Sequence, residues 1–285
     1  NTPPKMTALS STIKLNNGTL MPKLHLGVYM TSGSSCANAV SSALHAGYHA
    51  VDSAEWYGNE AEVGSAINSF LNRNGGVKRE DIWFTTKLKT NSGYDETRRK
   101  IRDSIRKSGL GYIDLYLLHS PYGGRSKRAQ CWQAVVDAVA EGQVRAGGVS
   151  NFGVRHLEQL LEDKPGLLPQ VNQIELHPFN TQPSIVSFCE SHNITLEAYA
   201  PLARSMRATH PTITQLAKKY GVSWAQLLVR WSLQRGFVPL PKSVKETRIR
   251  QNADVDGWVI DEADMEVLGG LDEQLVTDWD PTDAD

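Results

Sequence analysis

Short runs rich in β-branched and aromatic residues recur along the chain, separated by stretches in which apolar side chains return every three or four positions. The runs near 24–28, 49–52, 82–87, 113–119, 145–149, 171–176, 194–199 and 236–240 read as strands. The intervening stretches read as amphipathic helices. Val63, Ile67, Phe70 and Leu71 share one face, as do Trp132, Val135, Val136 and Val139, and later Trp224, Leu227, Leu228 and Trp231. Strand and helix alternate nearly end to end, which calls for right-handed crossovers and a parallel sheet, and eight strands is the number at which such a sheet closes. The expected architecture is α/β: a (β/α)8 TIM barrel, with residues 1–285 forming one domain.

Two features fall outside the bare repeat. Asn17-Gly18 stands between two alternating runs in residues 12–23, the signature of a tight hairpin, which would precede the barrel and cap its bottom. The interval between the seventh and eighth strands has room for two helices, about 211–220 and 223–234, and a further helix near 261–270 follows the last repeat. No Pro/Gly/Ser linker, low-complexity tract or sequence repeat marks a boundary.

Composition narrows the partners. Of 285 residues 40% are hydrophobic and 21% charged, enough for a sizeable core and too little charge for a disordered chain. Thirty basic and thirty-one acidic residues give net −1, with pI near 6.8, so no overall charge favours nucleic acid or an anionic membrane. Cys36, Cys131 and Cys189 form no CxxC and read as buried small side chains in a reducing compartment. No basic-then-apolar leader and no 18-residue apolar stretch is present. The expectation is a cytoplasmic monomer acting on a small molecule, with no membrane or nucleic-acid partner.

In a barrel of this kind chemistry sits at the C-terminal ends of the strands. The second strand ends at Asp52 with Tyr57 in the following loop, the third ends at Lys87, and the fourth runs into His119. A phenol is a poor acid at neutral pH, but a neighbouring ammonium stabilises its phenolate and lowers its pKa. Lys87 supplies that charge in this reading, Asp52 keeps Lys87 protonated, and His119 orients a substrate oxygen. The set suits proton donation to a carbonyl oxygen and contains no reductant, so electrons must come from a cofactor. Neither GxGxxG nor GxxxxGK[ST] occurs. Ser150, Asn151 and Gln173 instead offer hydroxyl and amide groups for a carboxamide, and Tyr199 a flat face for a ring. Lys242, Ser243, Arg248 and Asn252 follow the last strand, where barrels often bind phosphate.

These positions together resemble the aldo-keto reductase superfamily, from the hairpin to about residue 272. The matching segments are Asp52-Ser-Ala-Glu-Trp-Tyr57-Gly-Asn-Glu60, Thr86-Lys87-Leu88, Leu117-Leu118-His119-Ser120-Pro121, Gly148-Val-Ser-Asn-Phe152, Val171-Asn-Gln-Ile-Glu-Leu-His-Pro178, and Pro241-Lys-Ser-Val244 through Arg248 to Asn252. The resemblance implies a tetrad of Asp52, Tyr57, Lys87 and His119 with Tyr57 as proton donor. It implies NADPH (as NADP+ in reverse) extended over the barrel mouth: nicotinamide on Tyr199, its amide at Ser150, Asn151 and Gln173, the 2′-phosphate at Lys242, Ser243 and Arg248, and adenine near Gln251 and Asn252, with Leu202 also in contact. It implies reversible reduction of aldehydes and ketones.

This chain departs from the family pattern at several positions. Ser120 and Tyr29 stand where many members have Trp, which leaves a roomier pocket walled by Tyr29, Trp56, Ser120 and Tyr122. Ala200-Pro201-Leu202-Ala203-Arg204 replaces a common Ser-Pro-Leu-Gly, and Gln251 a common glutamate. Trp279 is the one large side chain in the short tail suited to be a lid. Two other readings stay open at this level. One is a metal-dependent barrel hydrolase using Asp52, His119, Glu175 and His177, disfavoured because Leu24-His25-Leu26-Gly27 lacks a His-x-His pair. The other is a cofactor-binding regulatory subunit without turnover.

Overall fold

The computed structural model describes residues 7–163 and 166–285. It opens with a hairpin of β1 (Thr12–Lys14) and β2 (Leu20–Pro22), paired antiparallel with Ile13 opposite Met21. The expected tight turn holds one residue more than a two-residue loop: Leu15 N–H donates to Thr19 O, enclosing Asn16, Asn17 and Gly18. Gly18 has φ +86, the left-handed conformation such a loop requires.

Eight strands follow, β3 (Leu26–Gly27), β4 (Ala50–Asp52), β5 (Trp83–Leu88), β6 (Ile113–Leu118), β7 (Val144–Ser150), β8 (Val171–Glu175), β9 (Thr195–Tyr199) and β10 (Val238–Pro239). Each pairs in parallel with the next, in chain order. The two edges then meet. His25 N–H donates to Pro239 O and Gly27 N–H to Pro241 O, with Gly27 bridging Lys242, so the sheet closes into the barrel. A Cβ on Gly27 would lie 3.0 Å from Leu240 O, so this seam is tight enough to favour glycine.

Helices α1 (Gly33–His45), α2 (Glu60–Arg73), α3 (Tyr94–Ser108), α4 (Gly124–Ala140), α5 (Val154–Glu162) and α6 (Pro183–Ser191) cross between successive strands. The α7 (Pro211–Tyr220) and α8 (Trp224–Gln234) pair fills the interval before β10, and α9 (Glu246–Ala253) and α10 (Glu262–Gly269) follow it. The period-two pattern of the strands sorts the core into two layers. Phe84, Leu88, Tyr116, Leu118, Ile174 and Leu196 point outward and pack against the helices. Ala50, Trp83, Leu115, Leu117, Ala146, Val171 and Val238 fill the interior, where Leu15 and Met21 of the hairpin plug the bottom. Each large aliphatic side chain removed from water here contributes about 1.5–3 kcal/mol. The same alternation that points Trp83 inward also points Lys87 inward, four residues on, at the open end.

The tail returns across that end. Leu275 N–H donates to Phe179 O, Thr277 N–H to Glu175 Oε1 at 3.1 Å, and His156 Nε2 bonds Ala284 O. Gly153 admits this crossing, since a Cβ there would sit 2.1 Å from Thr282 O.

Candidate active site

The C-terminal ends of β4, β5 and β6 carry Asp52, Lys87 and, one residue beyond, His119. Tyr57 closes a 3-10 turn, Glu55–Tyr57, which is set by a buried asparagine: Asn59 Nδ2 donates to Val28 O and Thr31 O, and its Oδ1 accepts from Ser53 Oγ at 2.6 Å. Lys87 is fully buried; its Nζ donates to Asp52 Oδ1 at 2.6 Å, to Ser53 O at 2.7 Å and to Tyr57 Oη at 3.5 Å. The four expected residues therefore converge, with the Tyr57 and His119 rings 5.9 Å apart.

One electrostatic expectation is corrected. Lys87 does pull the Tyr57 pKa down, but burial outweighs it and, with Asp52 adding to the rise, the phenol lies above its ordinary range. The proton stays on Tyr57 at neutral pH, where it is available for donation. Burial also competes at Lys87, yet the Asp52 and Tyr57 charges leave its pKa raised and the ammonium intact. His119 is pushed down to about 3 by burial and by the Lys87 charge, so its ring is neutral, and its Nδ1 is buried with no hydrogen-bond partner among the described residues.

Beside the tetrad, the ends of β7, β8 and β9 form one hydrogen-bonded patch. Tyr199 Oη donates to Asn151 Oδ1 at 2.9 Å, Asn151 Nδ2 to His119 O at 3.1 Å, and Ser150 Oγ to Gln173 O at 2.8 Å. Gln173 departs from the expectation of a free amide: its Nε2 donates to Asp52 Oδ2 at 2.8 Å and to Glu197 Oε2 at 2.7 Å, leaving only its carbonyl oxygen to offer a carboxamide.

Beyond β10, Lys242 and Arg248 are exposed and make no salt bridge among the described residues, while Lys245 N–H donates to Ser243 Oγ at the entry to α9. Lys242 next to the Ser243 hydroxyl, and Arg248 in the first turn of α9, are cations of the kind that suits a phosphate monoester. Asn252 is buried, Leu202 packs against the core, and Gln251 faces an outer cleft with Tyr220, Gln226, Arg250 and Trp258 that shares no residue with the tetrad.

The mouth is partly aromatic. The Tyr29 ring lies 5.1 Å from Tyr57, Ser120 is buried, and Tyr122 meets Trp279, whose ring stands 6.2 Å from His119. Trp56 is exposed and covered by Lys89, 4.2 Å above its ring. The rim also carries charge that the sequence reading did not place there: Arg204 pairs with Asp278 at 2.7 Å and stands over the Tyr29 ring. Glu175 and His177, candidates for a metal, bond each other at 3.0 Å, and Glu175 also holds Thr277. Asp52 is engaged by Lys87, and no group of three or more His, Cys, Asp or Glu among the described residues is placed to hold a metal ion. No helix of the described chain is long and apolar enough to cross a membrane.

A sequence model of the Aldo/keto reductase family matches residues 23–273. An uncharacterised oxidoreductase of Schizosaccharomyces pombe is 48% identical over 273 residues, 96% of this chain and 98% of the relative. A glyoxal reductase of Bacillus subtilis is 39% identical over 267 residues, 93% of this chain and 94% of the relative. A Bombyx mori aldo-keto reductase, solved in complex with NADP, superposes with a TM-score of 0.88 at 32% identity, covering 94% of each chain.

Proposed function

Because the chain belongs to the aldo/keto reductase family, we propose that it reduces aldehydes, ketones and vicinal dicarbonyls to alcohols, reversibly, with NADPH as cofactor. The observation that carries this reading is the Lys87 ammonium, sealed from water, 2.6 Å from Asp52 and 3.5 Å from the Tyr57 hydroxyl. A protonated phenol beside a fixed cation is a loaded acid whose conjugate base is stabilised in advance.

Lys242, Ser243 and Arg248 would hold the 2′-phosphate, Asn252 and Gln251 the adenine side, Leu202 the middle, Tyr199 the nicotinamide ring, and Ser150, Asn151 and the Gln173 carbonyl its amide. The bound cofactor supplies the hydride that adds to the carbonyl carbon. Tyr57 and the neutral His119 ring bracket the carbonyl oxygen, with His119 offering a hydrogen bond and no charge. As the carbon is reduced, the Tyr57 O–H bond breaks and its proton moves to that oxygen, giving the alcohol. Lys87 stabilises the remaining phenolate until water reprotonates it. The likeness to a glyoxal reductase supports small dicarbonyls among the substrates, and Tyr29, Tyr122 and Trp279 would wall the apolar side.

The test is NADPH consumption by the purified protein across short aldehydes, aromatic ketones and glyoxal-type dicarbonyls. Turnover with at least one class is expected. Oxidation of bound NADPH no faster than background with every substrate overturns the reading in favour of a cofactor-binding subunit.

A further inference from the structure

Beneath the tetrad lies a second buried polar layer, of which the proposed reaction uses only the Gln173 carbonyl. Gln173 of β8 and Glu197 of β9 are direct partners in the parallel ladder, both inward-facing, and Glu197 is fully buried. The two hydrogens of the Gln173 amide go to Asp52 Oδ2 and Glu197 Oε2, so this side chain ties Glu197 to the carboxylate that holds Lys87. Among the described residues the other carboxyl oxygen, Glu197 Oε1, has no hydrogen-bond partner, and neither has His25 Nδ1, 3.5 Å away. On the far side of that ring Nε2 contacts Pro22 O at 2.9 Å. A carbonyl oxygen only accepts, so Nε2 carries the proton, and the Nδ1 of a neutral His25 presents a bare lone pair. Two acceptors facing each other in a sealed interior repel unless one of them holds a hydrogen.

We propose that Glu197 is kept as the neutral acid, its proton on Oε1 directed at His25 Nδ1, and that through Gln173 it positions Asp52 as the sole anion opposite Lys87. The inference rests on the reductase reading above. The groups facing Glu197 are Asp52 from β4, Lys87 from β5 and His25 at the entry to β3; β10 presents the apolar Val238 at the same level. Burial and the Asp52 charge push the Glu197 carboxyl up to about 8, and burial pushes His25 down to about 3, in agreement with a proton held on the acid. Ionisation of Glu197 would set two anions against one cation, draw Lys87 away from Tyr57 and leave the phenol a weaker acid. Glu197 is thus a positioning residue, and turnover should decline as it loses its proton.

Glu197→Gln preserves the acceptor for Gln173 and offers an N–H to His25, but cannot ionise. The infrared difference spectrum between wild type and Glu197→Gln at neutral pH should contain a protonated carboxyl C=O band that disappears as the pH rises. Bands of a carboxylate alone overturn the proposal, whether or not the protein turns over any carbonyl. In the pH profile of NADPH-dependent kcat/KM, Glu197→Gln should move the alkaline limb up by about one unit or more. Glu197→Leu, which packs well but leaves the Gln173 hydrogen unpaired, should lower kcat about tenfold, with Glu197→Gln restoring it. An unchanged alkaline limb, or equal losses in the two variants, overturns the positioning role. Absence of turnover in wild type as well would overturn the reductase reading and leave the infrared test standing.

Discussion

Lys87 Nζ and Asp52 Oδ1 lie 2.6 Å apart, with no exposure at the lysine side chain and 5% at the aspartate. Such a pair is costly to bury and more costly to break, because removing one member leaves the other charged and unpaired inside the barrel, at about 3–5 kcal/mol. The pair therefore serves chemistry at the expense of stability, and its two roles can be separated.

Lys87→Met alone should lower stability by about 3–5 kcal/mol by leaving Asp52 uncompensated. Adding Asp52→Asn should restore most of that loss while turnover stays abolished, since the phenolate has lost its cation. Urea unfolding of the single and double variants, run beside NADPH assays, checks both halves; a double variant as unstable as the single would show that the destabilisation comes from packing.

Tyr57→Phe removes the donated proton and leaves the Lys87–Asp52 contact in place. It should lower kcat by about 10²–10⁴-fold while NADPH affinity changes little. Retention of more than about a tenth of kcat would mean that another acid serves.

Arg248 is exposed and without a salt-bridge partner among the described residues, as is Lys242. Arg248→Ala should weaken NADPH binding by about 1.5–3 kcal/mol and NADH binding hardly at all, because a charge-assisted bond to the 2′-phosphate exists only in the former. Titrating both cofactors against both proteins reads the difference directly. Equal losses would place Arg248 on a shared part of the cofactor.

The eight strands and three members of the tetrad were legible because each is a local signal: an apolar run of the right length with a polar residue at its C-terminal end. Lys87 and Asp52 could be placed from register alone. Glu197 could not, because in Leu-Glu-Ala-Tyr a lone acid reads as a polar interruption of a strand. The usable signal was its parity with Tyr199, which puts it inside. The contacts of the tail with Glu175, Arg204 and His156 join residues 102, 74 and 128 positions apart, and no local pattern encodes them. The direction of the Tyr57 shift depends on how much water the fold excludes, which residue spacing does not report.

Stability should peak near pH 6.5. His25 and His119, held neutral down to about 3, bind no proton in the folded state where the unfolded chain does, so stability falls as pH drops below about 6.5. Glu197, raised to about 8, keeps a proton that the unfolded chain releases near 4.5, so its contribution falls as pH rises toward 8. Combining the three groups, stability declines by about 1.5 kcal/mol by pH 5 and by about 1 kcal/mol by pH 8. Denaturant midpoints across this range test the dome. His119→Leu should flatten its acid side and Glu197→Gln its alkaline side; a slope indifferent to both variants would assign it to other groups.

The tail places Trp279 against Tyr122, with ring centroids 5.8 Å apart, and near His119 at 6.2 Å, while Thr277, two residues earlier, is pinned to Glu175. An aromatic wall held by a buried carboxylate should contribute more to a large substituent than to a small one, since the stacking contact is worth about 0.5–1.5 kcal/mol only where a ring can reach it. Trp279→Ala should therefore raise KM for an aromatic ketone about two- to tenfold and leave KM for a short dicarbonyl nearly unchanged. Ser120→Trp acts through volume instead: it should exclude the ketone and spare the dicarbonyl. If both variants changed the two substrates in proportion, neither side chain would line the substrate, and the selectivity of this barrel would have to come from the Arg204–Asp278 rim.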